Sequence, residues 1–231
     1  MLRSMKSRWI VAWAGLAVLS VAGCRPQGQG ASSEGAQTRD GARMEMRSTA
    51  QAGAGFDFYL LNLSWSPEFC HSHPDAAECA EHARFVLHGL WPERMDGSYP
   101  ENCSDAPGPA NPAQYADVYP EAGLLEHEWR AHGTCSGLSA DAFFGAARMA
   151  YESVKIPAAL ATLSAPARMT PGAIEEAFAA ANPGMAQGSV VVSCGNNYLT
   201  AVEVCLDKDL RAMTCPALRQ CRANVVKIPA P

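Results

Sequence analysis

The chain of 231 residues carries 23 acidic against 18 basic side chains, which gives a formal charge of −5. Three of the basic residues lie within the first 23 positions, so residues 24 to 231 hold 15 basic against 23 acidic side chains, a charge of −8. A protein that binds nucleic acid over a broad cationic surface is excluded, because that mode of binding needs an excess of Lys and Arg. Any contact with nucleic acid must be local.

Residues 1 to 23 have the pattern of an export signal. Arg3, Lys6 and Arg8 precede an apolar run over residues 9 to 21 that is too short for a typical membrane span. The motif Val21-Ala22-Gly23-Cys24 follows and resembles a bacterial lipobox, whose cysteine is lipidated and becomes the mature N-terminus. The alternative is an ordinary signal peptide with an incidental cysteine at this position.

Residues 24 to 54 are predicted to form a flexible tether, since they are rich in Gly, Ala, Ser, Gln and Arg and have no hydrophobic periodicity. Residues 55 to 231 remain for one domain with its own core. In this part, residues 56 to 60 predict a strand, and residues 84 to 88 predict a second one that ends where His88-Gly89 turns the chain.

Helix start signals follow in the middle of the domain. Ser139 can cap one helix, and Thr170-Pro171 starts another that ends at Asn182-Pro183. Residues 189 to 194 and 198 to 205 are β-branched runs separated by Gly-Asn-Asn, which predicts a hairpin. Adjoining strands with helices grouped between them predict an α+β domain.

Two histidine-bearing segments carry the chemistry. Phe85-Val-Leu-His88-Gly-Leu-Trp-Pro-Glu93 supplies one imidazole, and Glu126-His127-Glu128-Trp-Arg-Ala-His132-Gly-Thr-Cys135 supplies two imidazoles and a carboxyl group. An acid and a base with pKa values near the working pH can exchange protons in phosphodiester cleavage without a metal.

A zinc peptidase is the competing interpretation of the second segment. On an ideal helix Glu128 and His132 lie about 40° apart, but His127 and His132 lie about 140° apart. The zinc motif needs its two histidines at i and i+4, and here the spacing is one residue longer. We therefore predict no metal and no other cofactor.

Together the two segments resemble the active-site segments of the ribonuclease T2 family. The stretches Asp57 to Cys70 and Val202 to Asp209 extend the resemblance, which covers roughly residues 55 to 225. With the lipobox, the chain is similar to a bacterial, lipid-anchored member. The resemblance implies a central antiparallel sheet with flanking helices, stabilised by disulfides, and an endoribonuclease that cleaves single-stranded RNA through a 2′,3′-cyclic phosphate with little base specificity.

Residue roles also follow from the resemblance. His132 matches the general base, His88 the general acid, and His127 and Glu128 the residues that hold the phosphate. The positions that match the family's base-binding residues are Trp91, Glu93 and Tyr99. Core packing is the alternative for the two aromatic side chains.

Nine cysteines leave eight once Cys24 is lipidated, and an exported chain with an even number of cysteines predicts four disulfides. Spacing alone leaves their pairing open. The resemblance implies the pairs Cys70–Cys79, Cys103–Cys135, Cys194–Cys221 and Cys205–Cys215.

One position departs from the family pattern. Ala131 stands where the second segment usually carries a Lys beside the phosphate, and Arg130 precedes it as a possible substitute. The alternative function is therefore a weakened or inactive RNA-binding lipoprotein on the same fold. Arg25 after Cys24 favours the outer membrane on the periplasmic side by analogy with enteric bacteria. The expected partners are RNA and the membrane, with no obligate protein partner.

Overall fold

The computed structural model describes residues 55 to 80 and 84 to 231. The predicted export signal, Cys24 and the tether lie outside the described residues. Within the described part, no helix has the length and apolar character needed to cross a membrane. The strands are β1 Phe58–Trp65, β2 Phe85–Glu93, β3 Ala167–Met169, β4 Val190–Gly195, β5 Tyr198–Leu206 and β6 Val226–Ile228.

Among the described residues, six helices accompany the strands. They are α1 Ser66–Ser72, α2 Ala77–Ala80, α3 Ala122–Ala131, α4 Ala140–Ser153, α5 Ala158–Ala161 and α6 Pro171–Ala181, with 3₁₀ turns at Pro112–Tyr115 and Gly133–Cys135. The two predicted caps are confirmed, because Ser139 Oγ accepts a hydrogen bond from Ala142 N–H and Thr170 Oγ1 accepts one from Ala173 N–H.

The strands form one sheet in the order β2-β1-β5-β6-β3, and β4 pairs with β5. The pairings are antiparallel apart from one parallel contact of β5 with β6, between Tyr198 and Lys227. The predicted α+β fold with a central, mainly antiparallel sheet and flanking helices is confirmed. The predicted hairpin is present as well, and Asn196 and Asn197 at its turn have φ values of 51° and 64°.

One face of the sheet packs into the main core. Leu61 and Leu63 of β1 are fully buried there, together with Phe143 of α4 and Ile174 and Phe178 of α6. Burial of each such side chain is worth about 1.5–3 kcal/mol. Because side chains alternate along a strand, Asn62 and Ser64 point to the opposite face, which carries the candidate site.

Strand β2 does not end at His88-Gly89, so that prediction was wrong. Gly89 pairs with Asn62 and Leu87 pairs with Leu63, and His88 is an extra residue between them. This is a β-bulge, which lets a strand redirect one side chain while the pairing continues to Glu93.

In the part of the chain that the structure describes, four disulfides join the pairs that the resemblance implied: Cys70–Cys79, Cys103–Cys135, Cys194–Cys221 and Cys205–Cys215. Cys103–Cys135 ties the loop that follows β2 to the 3₁₀ turn that follows α3. A crosslink of this kind typically contributes about 2–4 kcal/mol to stability. It also limits the separation of the two segments that carry the histidines.

Candidate active site

The β-bulge places His88 at the mouth of the site. Its Nδ1 lies 2.9 Å from Ser64 Oγ on the neighbouring strand. Its Nε2 lies 3.7 Å from Glu128 Oε1, and 41% of the side chain is exposed. One ring nitrogen is thus held by a hydroxyl group, while the other faces the buried carboxyl group and the solvent.

Helix α3 presents His127 and Glu128, and His132 follows its last residue. His132 is the C-cap, with φ −119° and ψ −47°, and its N–H donates to Glu128 O. A Cβ at the next residue, Gly133, would collide with Trp129. The chain can therefore turn sharply at this point and bury His132, which is 9% exposed.

The ending of α3 corrects the prediction made from an ideal helix. His127 and His132 do not lie on separate sides, since their ring centroids are 6.2 Å apart. The i, i+5 spacing does not separate them because His132 lies beyond the last helical residue.

The only metal-ligand group of at least three side chains in the described part of the chain is formed by His127, Glu128 and His132. Their donor atoms lie within 4.8 Å of one another. Donor atoms that share a zinc ion can be at most about 4.2 Å apart, because each is bonded at about 2.0–2.1 Å. An upper limit of 4.8 Å is compatible with a metal site, and the same group also fits a site that acts through its own acid and base groups.

Trp91 belongs to the first segment and contacts residues of both segments. Its ring is tilted by 30° against His132 at a centroid distance of 5.2 Å, and it meets His88 edge-on at 5.6 Å. The indole Nε1 donates a hydrogen bond of 2.9 Å to Glu128 Oε2. A Cβ at Gly89 would overlap both partners of this bond, so the bond requires glycine in the bulge.

Burial changes the protonation of Glu128, which is fully inaccessible to solvent. Desolvation raises its pKa to about 8, and the hydrogen bond from Trp91 only partly opposes this rise. At neutral or acidic pH the carboxyl group is therefore mainly neutral and can donate a hydrogen bond.

The pKa values of the two flanking histidines, His88 and His132, shift in the opposite direction. Burial lowers the pKa of His132 to about 4, with smaller contributions from the positive charges of His127 and His88. Burial and the charge of His127 also lower the pKa of His88. At neutral pH both imidazoles are neutral, and His132 remains a free base down to low pH.

Two polar atoms at the centre of the site have no hydrogen-bond partner within the described part of the protein. They are Glu128 Oε1 and His132 Nδ1, both buried. Unpaired buried polar atoms are costly, and such atoms at one place are typical of a site that awaits a polar ligand.

The predicted base-binding residues are less closely grouped. Glu93 is 7% exposed, and burial raises its pKa to about 7 with a further contribution from Glu203. Tyr99 is 52% exposed. Within the described residues, no hydrogen bond or ring contact joins Tyr99 to Trp91 or Glu93, and the base-binding role of all three stays a prediction.

Arg130 does not contact the histidines through any hydrogen bond or ion pair in the described part of the chain. Its guanidinium lies 3.7 Å from Glu126 on the preceding turn, and both side chains are exposed. Ala131 is buried, with 4% exposed. A phosphate-binding role of Arg130 therefore stays a prediction and would require the ion pair to open.

Sequence reasoning missed Ser64 and Gly89 as parts of the site. Ser64 lies near the end of β1, in the Ser-Trp-Ser-Pro stretch, but only the pairing of β1 with β2 shows that it meets His88. The signal for Gly89 was its position directly after a candidate catalytic histidine, where a β-bulge can require glycine.

The fold and the site are those of an acid–base enzyme, with three imidazoles and a buried carboxyl group close to one another. The model of the ribonuclease T2 family matches residues 56–215. A ribonuclease from Aeromonas hydrophila is 37% identical over 174 residues, covering 72% of this chain and 80% of that protein. The chain therefore belongs to the ribonuclease T2 family and is an enzyme of that type.

Solved structures have the same fold. An RNase-related protein from Calystegia sepium superposes with a TM-score of 0.64 at 26% identity, covering 75% of this chain and 97% of the other. RNase NT in complex with 5′-AMP has a TM-score of 0.59 at 22% identity, covering 77% and 98% of the two chains. The second likeness concerns the fold alone.

Proposed function

We propose that this enzyme cleaves single-stranded RNA internally, through a 2′,3′-cyclic phosphate and with little base specificity. The observation that carries this proposal is the position of Trp91, which has His88 and His132 against its ring and donates a hydrogen bond to Glu128. Acid, base and a neutral carboxyl group are thereby grouped around one ring, as acid–base cleavage of a phosphodiester requires.

In the first step, neutral His132 takes the proton of the ribose 2′-hydroxyl, and the 2′-oxygen attacks phosphorus. The bond from phosphorus to the 5′-oxygen breaks, and protonated His88 gives its proton to the departing oxygen. In the second step the roles reverse: His88 takes a proton from a water molecule whose oxygen attacks phosphorus, the bond from phosphorus to the 2′-oxygen breaks, and His132 returns its proton to that oxygen. Each acid or base typically contributes about 10²–10⁴ in rate.

Glu128 supports the pentacovalent transition state as a neutral acid. Oε2 accepts from the indole of Trp91, which leaves Oε1, the oxygen without a partner, to carry the proton. It can donate this proton in a hydrogen bond to a non-bridging phosphate oxygen. Loss of one such donor typically costs about 10²–10³ in rate. His127, exposed beside it, would hold the phosphate.

We propose that Trp91, Glu93 and Tyr99 contact the base of the bound nucleotide. Stacking on an aromatic ring accepts every base, which agrees with low specificity, and is worth about 1–3 kcal/mol per base. One face of the Trp91 ring lies against His132, so a base would use the remaining face. An inactive RNA-binding lipoprotein is not favoured, because the three histidines and Glu128 lie close together.

We also propose that the enzyme is exported and anchored by lipid on Cys24, facing the periplasm from the outer membrane. The four disulfides support an oxidising compartment. The anchor itself depends on the sequence Val21-Ala22-Gly23-Cys24. Metabolic labelling with a radioactive fatty acid would label the wild type and not Cys24→Ala. Equal labelling of both would contradict the anchor.

The proposed reaction is tested by incubating the purified protein with an RNA homopolymer and its DNA counterpart in the presence of a chelator. We expect RNA fragments with 2′,3′-cyclic phosphate and 5′-hydroxyl ends, and intact DNA. His88→Ala and His132→Ala should lose this activity, whereas His71→Ala, a change at an exposed histidine of α1, should keep it. Fragments with 5′-phosphate ends, or activity abolished by chelator, would contradict the proposal.

A further inference from the structure

A polar cavity of about 650 Å³ lies beside strand β4, away from the histidines. Its polar lining comes from the β4–β5 hairpin and from the C-terminal segment, and consists of Ser193, Asn196, Asn197, Arg219, Gln220 and Arg222. No acidic side chain is among the lining residues. In an acidic protein, a cavity with two arginines and several amide groups is a local site for an anion.

The two arginines are free to bind such an anion. No hydrogen bond or ion pair joins Arg219 or Arg222 to a carboxylate within the described residues. Arg130, Arg148 and Arg211, by contrast, each have a carboxylate partner. The guanidinium groups at the cavity therefore keep their forked donors available for phosphate oxygens.

The segment that carries these arginines is fixed to the sheet. Cys221 lies between them and forms a disulfide with Cys194 of β4. The N–H of Cys221 also donates a hydrogen bond of 2.9 Å to Val192 O. A disulfide and a backbone hydrogen bond thus fix the main chain at both arginines relative to Ser193.

The sheet register connects this cavity to His88. Ser193 pairs with Ala201, and Ala201 pairs with Ser64, so the three side chains form one row on the same face. Ser64 Oγ is the atom that meets His88 Nδ1. Two strand spacings separate Ser64 from Ser193, a distance of about 10 Å, which a single strand crosses within a few nucleotides.

One carboxyl group lies beside this row. Glu203 Oε1 accepts hydrogen bonds from Asn62 Nδ2 and Ser193 Oγ, both of 3.1 Å. Its burial raises its pKa. Because the group is bonded and partly neutral at acidic pH, it opposes a passing phosphate less than a free carboxylate would.

The direction in which the RNA strand would lie on the protein follows from the proposed function. His88 protonates the 5′-oxygen that leaves, so the nucleotide on the 3′ side of the cut lies next to His88 and Ser64. The base on the 5′ side is assigned to the other end of β2, at Trp91 and Glu93. We propose that Arg219 and Arg222 bind backbone phosphates of the RNA segment on the 3′ side of the cleaved linkage.

The test uses the full chain and substrates with a single ribonucleotide in an otherwise deoxynucleotide strand, since only that linkage has a 2′-hydroxyl. One series is extended by several deoxynucleotides on the 3′ side, and the other on the 5′ side. The double variant Arg219→Ala/Arg222→Ala is compared with Arg168→Ala/Arg211→Ala, which removes the same charge elsewhere. The reference substrate is a dinucleotide.

We expect the 3′ extension to raise kcat/KM of the wild type about tenfold at low salt, and the Arg219→Ala/Arg222→Ala variant to lose that gain. The salt slope of the gain should fall by about 1.4 for two lost phosphate contacts. On the 5′-extended substrate, the wild type and the two double variants should have equal rates. The same should hold on the dinucleotide.

A 3′ gain that survives in the Arg219→Ala/Arg222→Ala variant, or a loss that is equal for both extensions, would overturn this inference and leave the proposed function intact. Failure of the proposed function has a different signature. In that case the wild type would not cleave the dinucleotide, and binding of the uncleaved 3′-extended strand, compared between the same variants, would decide the role of the arginines.

Discussion

The hydroxyl group of Ser64 holds Nδ1 of His88 at 2.9 Å, across the pair of strands β1 and β2. A hydroxyl group can donate to a neutral imidazole and accept from a protonated one, so this contact persists in both states. For Nε2, which faces Glu128 and the site, to release and later take up the catalytic proton, Nδ1 must keep its own proton, and Ser64 Oγ accepts a hydrogen bond from it. Ser64 is therefore a positioning residue for a histidine that must act first as an acid and then as a base.

Ser64→Ala tests this relationship. Loss of the acceptor destabilises protonated His88, so the alkaline limb of the pH profile should move to lower pH and kcat should fall about tenfold at the optimum. KM should change little. Ser64→Thr, which keeps a hydroxyl group, should restore most of the activity, and Ser72→Ala on the exposed part of α1 is the control. An unchanged limb in Ser64→Ala would show that the contact has no effect on catalysis.

The pH dependence of kcat/KM follows from the two shifted histidines. The base His132 must be neutral, and its pKa of about 4 sets the acidic limb. The acid His88 must be protonated, and its pKa is lowered from 6.5, which sets the alkaline limb below that value. Activity on a dinucleotide should therefore peak in the acidic range and fall towards neutrality. A plateau that extends to pH 8 would contradict these assignments.

Trp91→Phe separates two roles of this tryptophan. The variant keeps an aromatic ring against His132 but loses the hydrogen bond to Glu128, whose pKa should rise further. If Trp91 orients Glu128, kcat should fall about tenfold while KM stays within about twofold. A rise in KM with unchanged kcat would instead mean that Trp91 serves only to bind the base.

The buried carboxyl groups make stability depend on pH. Glu128 and Glu93, with pKa values of about 8 and about 7, keep protons in the folded state that the unfolded chain has already lost above pH 4.5. Stability therefore falls as pH rises through this window. The pKa values of His88 and His132 are lowered by folding, so these two residues make stability rise with pH, but only below pH 6.5. Above that pH, the change in stability should come from the carboxyl groups and not from these histidines.

We expect Tm to decline between pH 6.5 and 8.5 by at least about 2–4 °C, the shift that corresponds to about 1 kcal/mol in a domain of this size. Glu128→Gln should flatten the decline, because an amide does not titrate. Glu126→Gln, at an exposed position on the same helix, should leave it as in the wild type. Calorimetry over this range provides the measurement, and a Tm that rises with pH would exclude a neutral Glu128.

Local signals in the sequence were sufficient for much of the architecture. Ser139 and Thr170 begin helices because their side chains satisfy a free N–H group of the first turn, which is a property of adjacent residues. The two histidine segments were likewise recognised from their own residues and flanks. These features do not depend on distant parts of the chain.

The remaining features depend on pairing between distant segments. His88 is an extra residue only in relation to Asn62 and Leu63 of β1, and no local pattern indicates that register. His132 approaches His127 because α3 ends one residue earlier than an ideal helix through both would. The ion pair of Arg130 with Glu126 was visible as an i, i+4 spacing, and it competes with the phosphate role considered for Arg130.

The most direct test of the central claim compares two substrates that differ only in their leaving group. One is a dinucleotide, and the other is a nucleoside 3′-(p-nitrophenyl phosphate). His88 and His132 are assigned as acid and base of one reaction, and only the acid is needed to protonate a poor leaving group. With a nucleoside 3′-(p-nitrophenyl phosphate), whose leaving group departs without a proton, His88→Ala should recover most of the wild-type rate, whereas His132→Ala should remain impaired by about 10²–10⁴. Equal impairment of both variants on both substrates would contradict the assignment.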